Sequence, residues 1–197
     1  LRPFKSAVDA GVMSLMTSFS DLNGVPGTAN DYLLRRILRG EWAFDGLVVS
    51  DWDSVRQLAV HGLTAGDRES ALEAVRAGVD VEMEGDAFSN HLAGLIEQGL
   101  LSVDTLDAAV GNVLRAKLRL GLFDDPYTNP SSPPPVSDEH ALGVARMAAL
   151  QSVVMLKMDH GVLPLSAGAL GSIAVIGPLA DAPYEQLGTW IFDGDVG

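Results

Sequence analysis

Short apolar runs and longer amphipathic stretches alternate along the first 120 residues of the chain. The runs have the length of strands and are found at 12–19, 46–50 and 79–84. The longer stretches repeat their apolar residues every three or four positions, which predicts helices at 30–39, 67–77, 87–98 and 103–120. Strand and helix therefore alternate, and this order predicts βα units with parallel strands in an α/β fold.

Two of the apolar runs predict strands that are buried in a sheet. The run GLVVS lies between an acidic loop and Asp51 and is continuously apolar, which predicts a strand buried on both faces of a parallel sheet. Residues 12–19 predict a second buried strand. The stretch at 20–30 is dense in Asp, Asn, Gly and Pro and predicts a loop. Asn30 or Asp31 is expected to cap the helix that follows.

Residues 124–137 interrupt the alternation, because five of the ten prolines lie there. This composition predicts an extended linker between two domains. Beyond the linker, the pattern predicts a helix at 138–152, a strand at 153–158 and a buried strand at 172–178. We therefore expect the C-terminal part of one α/β domain at 1–123, the linker at 124–137 and the beginning of a second domain at 138–197.

Three βα units leave a sheet with an open edge and with strand faces that nothing covers. We therefore expect the 197 residues to be a fragment of a longer protein. On this interpretation the isolated chain folds poorly and is inactive.

Composition excludes several classes of function. The chain carries 26 Asp+Glu against 13 Lys+Arg, a net charge of −13, which argues against nucleic acid and anionic membrane surfaces as partners. An acidic chain suits a neutral small molecule. No apolar run approaches the roughly 18 residues of a membrane span. The absence of cysteine excludes disulfides, thiolate nucleophiles and cysteine-ligated zinc. The four histidines are scattered without helical pairing, so no metal or other cofactor is predicted.

The strongest candidate for chemistry is Asp51, at the carboxyl end of the predicted strand GLVVS. Active groups of parallel α/β proteins lie at such strand ends. A carboxylate there can act as a nucleophile, a metal ligand or a general base, and its alternative role is to cap the next helix. Asp53 or Ser54 fits the capping role better. Trp52 is suited to stacking on a sugar ring, and its alternative is a place in the core.

Two further interpretations remain open for acidic residues. Glu82 and Glu84 lie near the end of the next predicted strand and are either a second catalytic carboxylate, charges on the rim of the site or members of ion pairs. The spacing Asp51-x-Asp53-x-Val55 after a strand also fits the short motif of haloacid-dehalogenase-like phosphatases, which use the two aspartates with magnesium.

Several segments in order together resemble glycoside hydrolase family 3. They include PFKSAVDAGVMSLMTSFSDLNGVPGTAN, LLRRILRGEWAFDGLVVSDW, AGVDVEME, LRAKLRLGLFDDPY and IAVIGPLAD, and they cover nearly the whole chain. In that family the pattern W-x-F-x-G-x-x-x-S-D-W carries the catalytic nucleophile as its aspartate. The matching residues here are Trp42, Phe44, Gly46, Ser50, Asp51 and Trp52. The number and order of these segments make the resemblance far more specific than the phosphatase motif.

The resemblance implies a fold and a mechanism. The family has a (β/α)₈-like barrel followed by an α/β sandwich, so residues 1–123 are expected to supply the last strands of the barrel. The family removes terminal β-linked sugars, typically glucose, with retention and without a metal or cofactor. Asp51 is then the nucleophile that forms a glycosyl-enzyme intermediate. Trp52 stacks on the sugar or aglycone, and Met16 and Phe19 line the glucose subsite.

The resemblance also implies what these residues do not provide. Many members have tyrosine where this chain has Phe19, so one hydroxyl contact is lost. The general acid/base of the family lies downstream of Gly197 in most members and upstream of Leu1 in one branch. An alternative is a catalytically inactive, sugar-binding relative. The family suggests a periplasmic or secreted protein, and it leaves the oligomeric state open.

Overall fold

The computed structural model describes residues 1–129, 131 and 139–191. The chain divides into two compact units, Leu1–Ser131 and Ser132–Gly197. Half of the predicted linker, namely 130 and 132–137, lies outside the described residues.

The first unit alternates strands and helices as the apolar pattern predicts. Its helices are α1 Arg2–Asp9, a π-helix Tyr32–Glu41, α2 Gln57–Val60, α3 Asp67–Ala77, α4 Ala87–Glu97 and α5 Val103–Arg119. Its strands are β1 Ser14–Met16, β2 Asp21–Leu22, β3 Val25–Pro26, β4 Leu47–Trp52 and β5 Val81–Met83, and a 3₁₀ turn occupies Gly27–Ala29. The helices predicted at 67–77, 87–98 and 103–120 are confirmed to within one residue.

The main sheet of the first unit has three parallel strands in the order β1-β4-β5. Met16 of β1 lies opposite Val49, and Val81 of β5 lies opposite the same residue on the other side. The prediction of parallel βα units is therefore confirmed. The described residues form an open segment of an α/β sheet rather than a closed barrel, and β4 is its central strand.

The burial of β1 and β4 corrects the prediction of strands covered on both faces. In β4, Val48 and Ser50 are completely buried, whereas Leu47, Val49 and Asp51 are only half-buried. In β1, Met16 is 51% exposed. Helices cover one face of the sheet, and the apolar residues of the other face are only partly covered. The sequence pattern alone could not distinguish a strand covered on one face from a strand covered on both, because a continuously apolar run is compatible with either.

The segment predicted as a loop at 20–30 contains a small antiparallel hairpin made of β2 and β3. Asn23 and Gly24 form its turn with φ of 56° and 82°. Such positive φ values are required by the tight turns that join hairpin strands, and Asn-Gly is their preferred sequence. The signal was therefore present in the sequence, but the strands have only two residues each.

The helix predicted to start at Asn30 is present with a different winding. Asn30 caps it as predicted, because its Oδ1 accepts the Leu33 N–H at 3.0 Å. The residues that follow form a π-helix, and the Trp42 N–H donates to the Ile37 carbonyl, five residues back, at 2.9 Å. Apolar spacing does not separate an α-helix from this wider form, which is rare and often lies near functional sites.

A buried ion pair joins the elements at the amino ends of β4 and β5. The Asp80 carboxylate accepts hydrogen bonds from Arg39 Nη2 at 2.7 Å, from the Val48 N–H at 2.8 Å and from Asn112 Nδ2 at 2.9 Å. The Asp80 side chain is 5% exposed. Burial raises the pKa of this carboxyl above its ordinary value and lowers the pKa of Arg39. Desolvation therefore weighs more than attraction in both partners, as expected for a buried pair.

The second unit contains α6, Glu139–Ser152, and 3₁₀ turns at Ala167–Ala169 and Pro183–Leu187. The strands predicted at 153–158 and 172–178 are wrong for this structure: residues 139–191 contain no strand. Leu156 and Ile176 are 92% and 90% exposed. A strand needs a neighbour for its N–H and C=O groups and cover for its apolar face, and residues 139–191 provide neither for these two segments.

No helix in the described parts of either unit is long and apolar enough to cross a membrane.

Candidate functional site

The carboxyl ends of the three parallel strands meet at one edge of the sheet. Thr17 directly follows β1, Asp51 is the penultimate residue of β4, and Glu84 directly follows β5. The Thr17 N–H donates to the Val49 carbonyl at 2.9 Å, which holds the end of β1 against β4. Groups from three separate chain segments are therefore brought to one place, which is where parallel α/β proteins carry their active sites.

A β-bulge lies at Asp51. Val49 lies opposite Val81 and Trp52 lies opposite Met83, so three steps along β4 match two along β5. The extra residue interrupts the ladder, and the Ser50 side chain fills the gap: its Oγ accepts the Met83 N–H at 2.8 Å. Bulges are common beside active sites, where they change the direction in which a side chain points. Here the bulge determines the direction of the Asp51 carboxylate.

The Asp51 carboxylate is half-buried and accepts few hydrogen bonds from the protein. Its Oδ1 accepts the Trp52 N–H at 2.7 Å. Within the described residues, Oδ2 has no hydrogen-bond partner. One oxygen is therefore oriented by the main chain, and the other remains accessible to a substrate.

Hydroxyl groups surround the main chain of Asp51. Its N–H donates to Thr17 Oγ1 at 3.4 Å, and Thr17 Oγ1 lies 2.9 Å from Thr28 Oγ1. Thr28 donates in turn to Ser54 Oγ at 3.0 Å. The Asp51 carbonyl accepts from Ser50 Oγ at 2.9 Å and from the Ser54 N–H at 3.1 Å. Sequence analysis missed Thr17 and Thr28, because no local pattern indicates which hydroxyls a fold brings together.

Asp53 and Ser54 do not have the capping role predicted for them. The short helix α2 begins after Arg56, and no side chain caps it. Asp53 instead forms the turn that follows β4, with φ of 54° and with its N–H donating to the Met83 carbonyl at 3.0 Å. Its Oδ1 is buried without a hydrogen bond and lies 3.7 Å from Arg56 Nη1. With this positive φ, Asp53 does not adopt the extended backbone conformation that is typical of a helix N-cap.

The residues predicted to contact a sugar are only partly brought together. Trp52 is half-buried beside Asp51. Met16, on the strand next to Asp51, lines an apolar groove of about 370 Å³ that also includes Trp42. Phe19 is 37% exposed, and neither it nor Asp51 or Trp52 lines this groove. The groove that Met16 borders therefore does not include Asp51.

Glu82 serves the protein itself rather than an open site. Its carboxylate accepts the Phe88 N–H at 2.7 Å and the Ala87 N–H at 3.2 Å, so it caps the N-terminus of α4. Burial raises the pKa of Glu82, although these two hydrogen bonds oppose the effect. Glu84 is exposed and has a φ of 65°. The geometry favours structural and rim roles for these residues over a second catalytic carboxylate.

Within the part of the chain that the structure describes, no three His, Asp or Glu side chains are grouped as a metal site would require.

Family comparison gives a match over most of the first unit. The model of the glycosyl hydrolase family 3 N-terminal domain matches residues 1–116. A periplasmic β-glucosidase of Salmonella typhimurium is 39% identical over 194 residues, which cover 95% of this chain and 25% of the relative. A β-xylosidase/α-L-arabinofuranosidase of Medicago sativa subsp. varia is 38% identical with the same coverage of both chains. The chain therefore spans about a quarter of the length of these curated relatives.

Comparison of structures gives the same result. A crystal structure of a β-glucosidase from Listeria innocua in complex with glucose matches with a TM-score of 0.72 and 39% identity. The match covers 84% of this chain and 23% of that one. These matches favour a glycosidase over the magnesium-dependent phosphatase that the spacing of Asp51 and Asp53 left open.

Proposed function

Because this chain belongs to glycosyl hydrolase family 3, we propose that the natural polypeptide containing residues 1–197 is a retaining β-glycosidase. One observation carries the proposal: Asp51 lies in a β-bulge at the carboxyl end of the central parallel strand, with one carboxylate oxygen oriented and the other accessible. The substrate is a small carbohydrate with a terminal β-linked glucose. The reaction passes through a covalent intermediate on Asp51.

In this mechanism the accessible oxygen of Asp51 attacks the anomeric carbon as the bond to the leaving oxygen breaks. A general acid protonates that leaving oxygen, and water then hydrolyses the glycosyl-enzyme bond with the same group acting as base. We assign this second role to no residue of 1–197. Glu82 is committed to capping α4, and Asp53 lies in an ion pair with Arg56.

The hydrogen bond from Trp52 N–H supports the role of Asp51. A single main-chain donor orients the carboxylate at 2.7 Å. The hydrogen bond holds one oxygen in place and leaves the other available for attack. We assign apolar contacts with the sugar to Met16, at the end of β1 next to Asp51, and to Phe19, three residues beyond that strand.

The names of the relatives bear on substrate and location. One relative is a glucosidase and another a xylosidase/arabinofuranosidase, so a hexose or a pentose can occupy sites of this family. We favour glucose, since the glucose complex of the Listeria innocua protein matches the chain over most of its length. The name of the first of these relatives supports a periplasmic or secreted location.

The proposed activity is tested with the natural polypeptide that contains residues 1–197. We expect it to release the aryl group from an aryl β-glucoside faster than from the matching β-xyloside, and a metal chelator to leave the rate unchanged. The same preparation should leave aryl phosphate intact. Phosphate release that depends on magnesium would support the phosphatase instead. Binding of glucosides without turnover would support an inactive relative.

Trp52→Ala is expected to weaken substrate use more than it weakens the fold. A stacked aromatic ring contributes on the order of 1 kcal/mol, which is about a fivefold rise in KM. Trp52→Phe keeps a ring and should recover part of the loss. Kinetics and the midpoint of urea unfolding are measured on the same preparations. Normal KM with a large fall in the unfolding midpoint would assign Trp52 to the core.

A further inference from the structure

The hydroxyls around Asp51 form a directed chain of hydrogen bonds. A hydroxyl has one hydrogen to donate. Thr28 gives its hydrogen to Ser54 Oγ, so the contact between the two threonines requires Thr17 to donate to Thr28. Thr17 in turn accepts from the Asp51 N–H. The chain runs from the Asp51 amide to Ser54, whose own N–H donates to the Asp51 carbonyl and closes a ring.

This ring is shielded from water. Thr17 is 6% exposed, Thr28 1% and Ser54 3%. A buried hydroxyl that loses its partner cannot readily find a replacement in solvent, so each member depends on the others. The ring also joins three segments that are distant in sequence: the end of β1, the 3₁₀ turn after β3 and the turn after β4. It therefore transmits the position of the first two segments to the third.

The ring holds the main chain where regular sheet bonding does not. Near Asp51, side chains make the hydrogen bonds between strands. On the β1 side Thr17 Oγ1 accepts the Asp51 N–H, and on the β5 side Ser50 Oγ accepts the Met83 N–H. A carboxylate that must meet an anomeric carbon needs its position held to within about 0.5 Å. The bulge gives Asp51 its direction, and the hydroxyl ring limits how far its main chain can move.

We propose that Thr17, Thr28 and Ser54 form a positioning network that fixes the nucleophile Asp51 through its main chain. The inference rests on the proposed function, since it assigns these residues to the reaction of Asp51. Thr28 is the informative member, because its hydroxyl contacts Thr17 and Ser54 and does not contact Asp51. Its effect on the reaction can therefore arise only through them.

The test is Thr28→Val, which keeps the shape of the side chain and removes its hydroxyl. We expect kcat to fall about tenfold to a hundredfold with little change in KM, as misplacement of a reacting group does. Thr28→Ser restores the hydroxyl and should recover most of the rate. An activated 2-fluoro-β-glucoside measures formation of the covalent intermediate directly, and Thr28→Val should slow labelling of Asp51 by a similar factor.

The matched control is Ser70→Ala. Ser70 is also completely buried, and its Oγ lies 2.7 Å from Thr64 Oγ1, in a hydroxyl pair that shares no hydrogen bond with the ring. Its loss should lower the midpoint of thermal unfolding and leave the labelling rate unchanged. If Thr28→Val does not fold, Ser54→Ala removes the end of the same ring and is expected to give the same slowed labelling.

The outcomes separate the two proposals. If the wild-type protein is not labelled at Asp51, the proposed function is wrong and the network fails with it. If Asp51 is labelled in the wild type and equally fast in Thr28→Val or in Ser54→Ala, the proposed function stands and the network is overturned. A slowed rate that Thr28→Ser does not restore also overturns it, because the hydroxyl is then not the cause.

Discussion

Asp51→Asn is expected to lower kcat of the natural polypeptide by on the order of 10³-fold or more, because an amide cannot attack the anomeric carbon. Asparagine has the size of aspartate and can still accept the Trp52 N–H through its side-chain oxygen, so the fold should be unchanged. In the wild type, a 2-fluoro-β-glucoside should label Asp51, as found by mass spectrometry of the peptide that contains it. Labelling of another carboxylate, or near-normal turnover in Asp51→Asn, would disprove the assignment.

Two companion variants sharpen this experiment. Asp53→Asn removes the neighbouring carboxylate, which lies 3.7 Å from Arg56, and is expected to lower kcat by less than about tenfold. Asp51→Ala opens space beside the anomeric carbon, so added azide should restore turnover and give a glycosyl azide of α configuration. A β-configured azide would contradict attack from the face that Asp51 occupies.

Arg39→Met is expected to cost about 3–5 kcal/mol of unfolding free energy, because it leaves the Asp80 carboxylate buried without its countercharge. Asp80→Asn in the Arg39→Met background removes the stranded charge and keeps an oxygen for the Val48 N–H, so part of the loss should return. Urea unfolding of the wild type, both single variants and the double variant gives the coupling. Strictly additive effects would show that the pair does not interact energetically.

The matched control for this pair is exposed. Arg119 donates two hydrogen bonds to the Asp45 carboxylate at 3.1 and 2.5 Å, and both side chains face solvent. Arg119→Met removes the same kind of charge pair from a solvated place and should have a much smaller effect on stability. An equal loss at both sites would mean that burial does not set the energy of the Arg39–Asp80 pair.

The two aspartates should also respond to pH with opposite signs. Burial raises the pKa of Asp80 above its ordinary value of 3.8, so the folded protein binds this proton more tightly than the unfolded chain. Its contribution to stability therefore grows as pH falls from above the folded pKa to 3.8. The Arg119 hydrogen bonds lower the pKa of Asp45, whose contribution is lost as pH falls through that lowered value. On acidification, the stability of the wild type should rise relative to that of Asp80→Asn and fall relative to that of Asp45→Asn.

Much of the first unit could be predicted because its signals are local. Gly78 ends α3 with φ of 111°, the left-handed conformation that glycine adopts readily after a helix. The apolar run of β4 likewise fixed the strand and placed Asp51 at its end. By contrast, the Arg39–Asp80 pair links positions 41 residues apart, and no local sequence pattern predicts it. Long-range polar partners depend on which elements pack together, which single-sequence patterns do not contain.

The same distinction explains the site. The family motif at 42–52 identified Asp51 and Trp52 as candidates, because all residues of this motif lie close together in the sequence. The hydroxyl ring through Thr17 and Thr28 joins three separate segments, so no sequence motif indicates it. For the second unit, apolar runs predicted strands that the structure does not contain. An apolar run states only that a segment can be buried, and pairing partners decide whether it becomes a strand.

The bulge in β4 has a consequence for transplanting this site into another scaffold. Because β4 takes three steps where β5 takes two, deleting Ser50 would restore a regular ladder. The carboxylate would then move to the opposite face of the sheet, since side chains alternate with each residue. A designer who copied only Ser-Asp-Trp onto a regular parallel strand would lose the extra residue that sets the register of Asp51 against β5. The unit to transplant is the bulged strand β4 together with Ser50, whose hydroxyl accepts the hydrogen bond from the Met83 N–H.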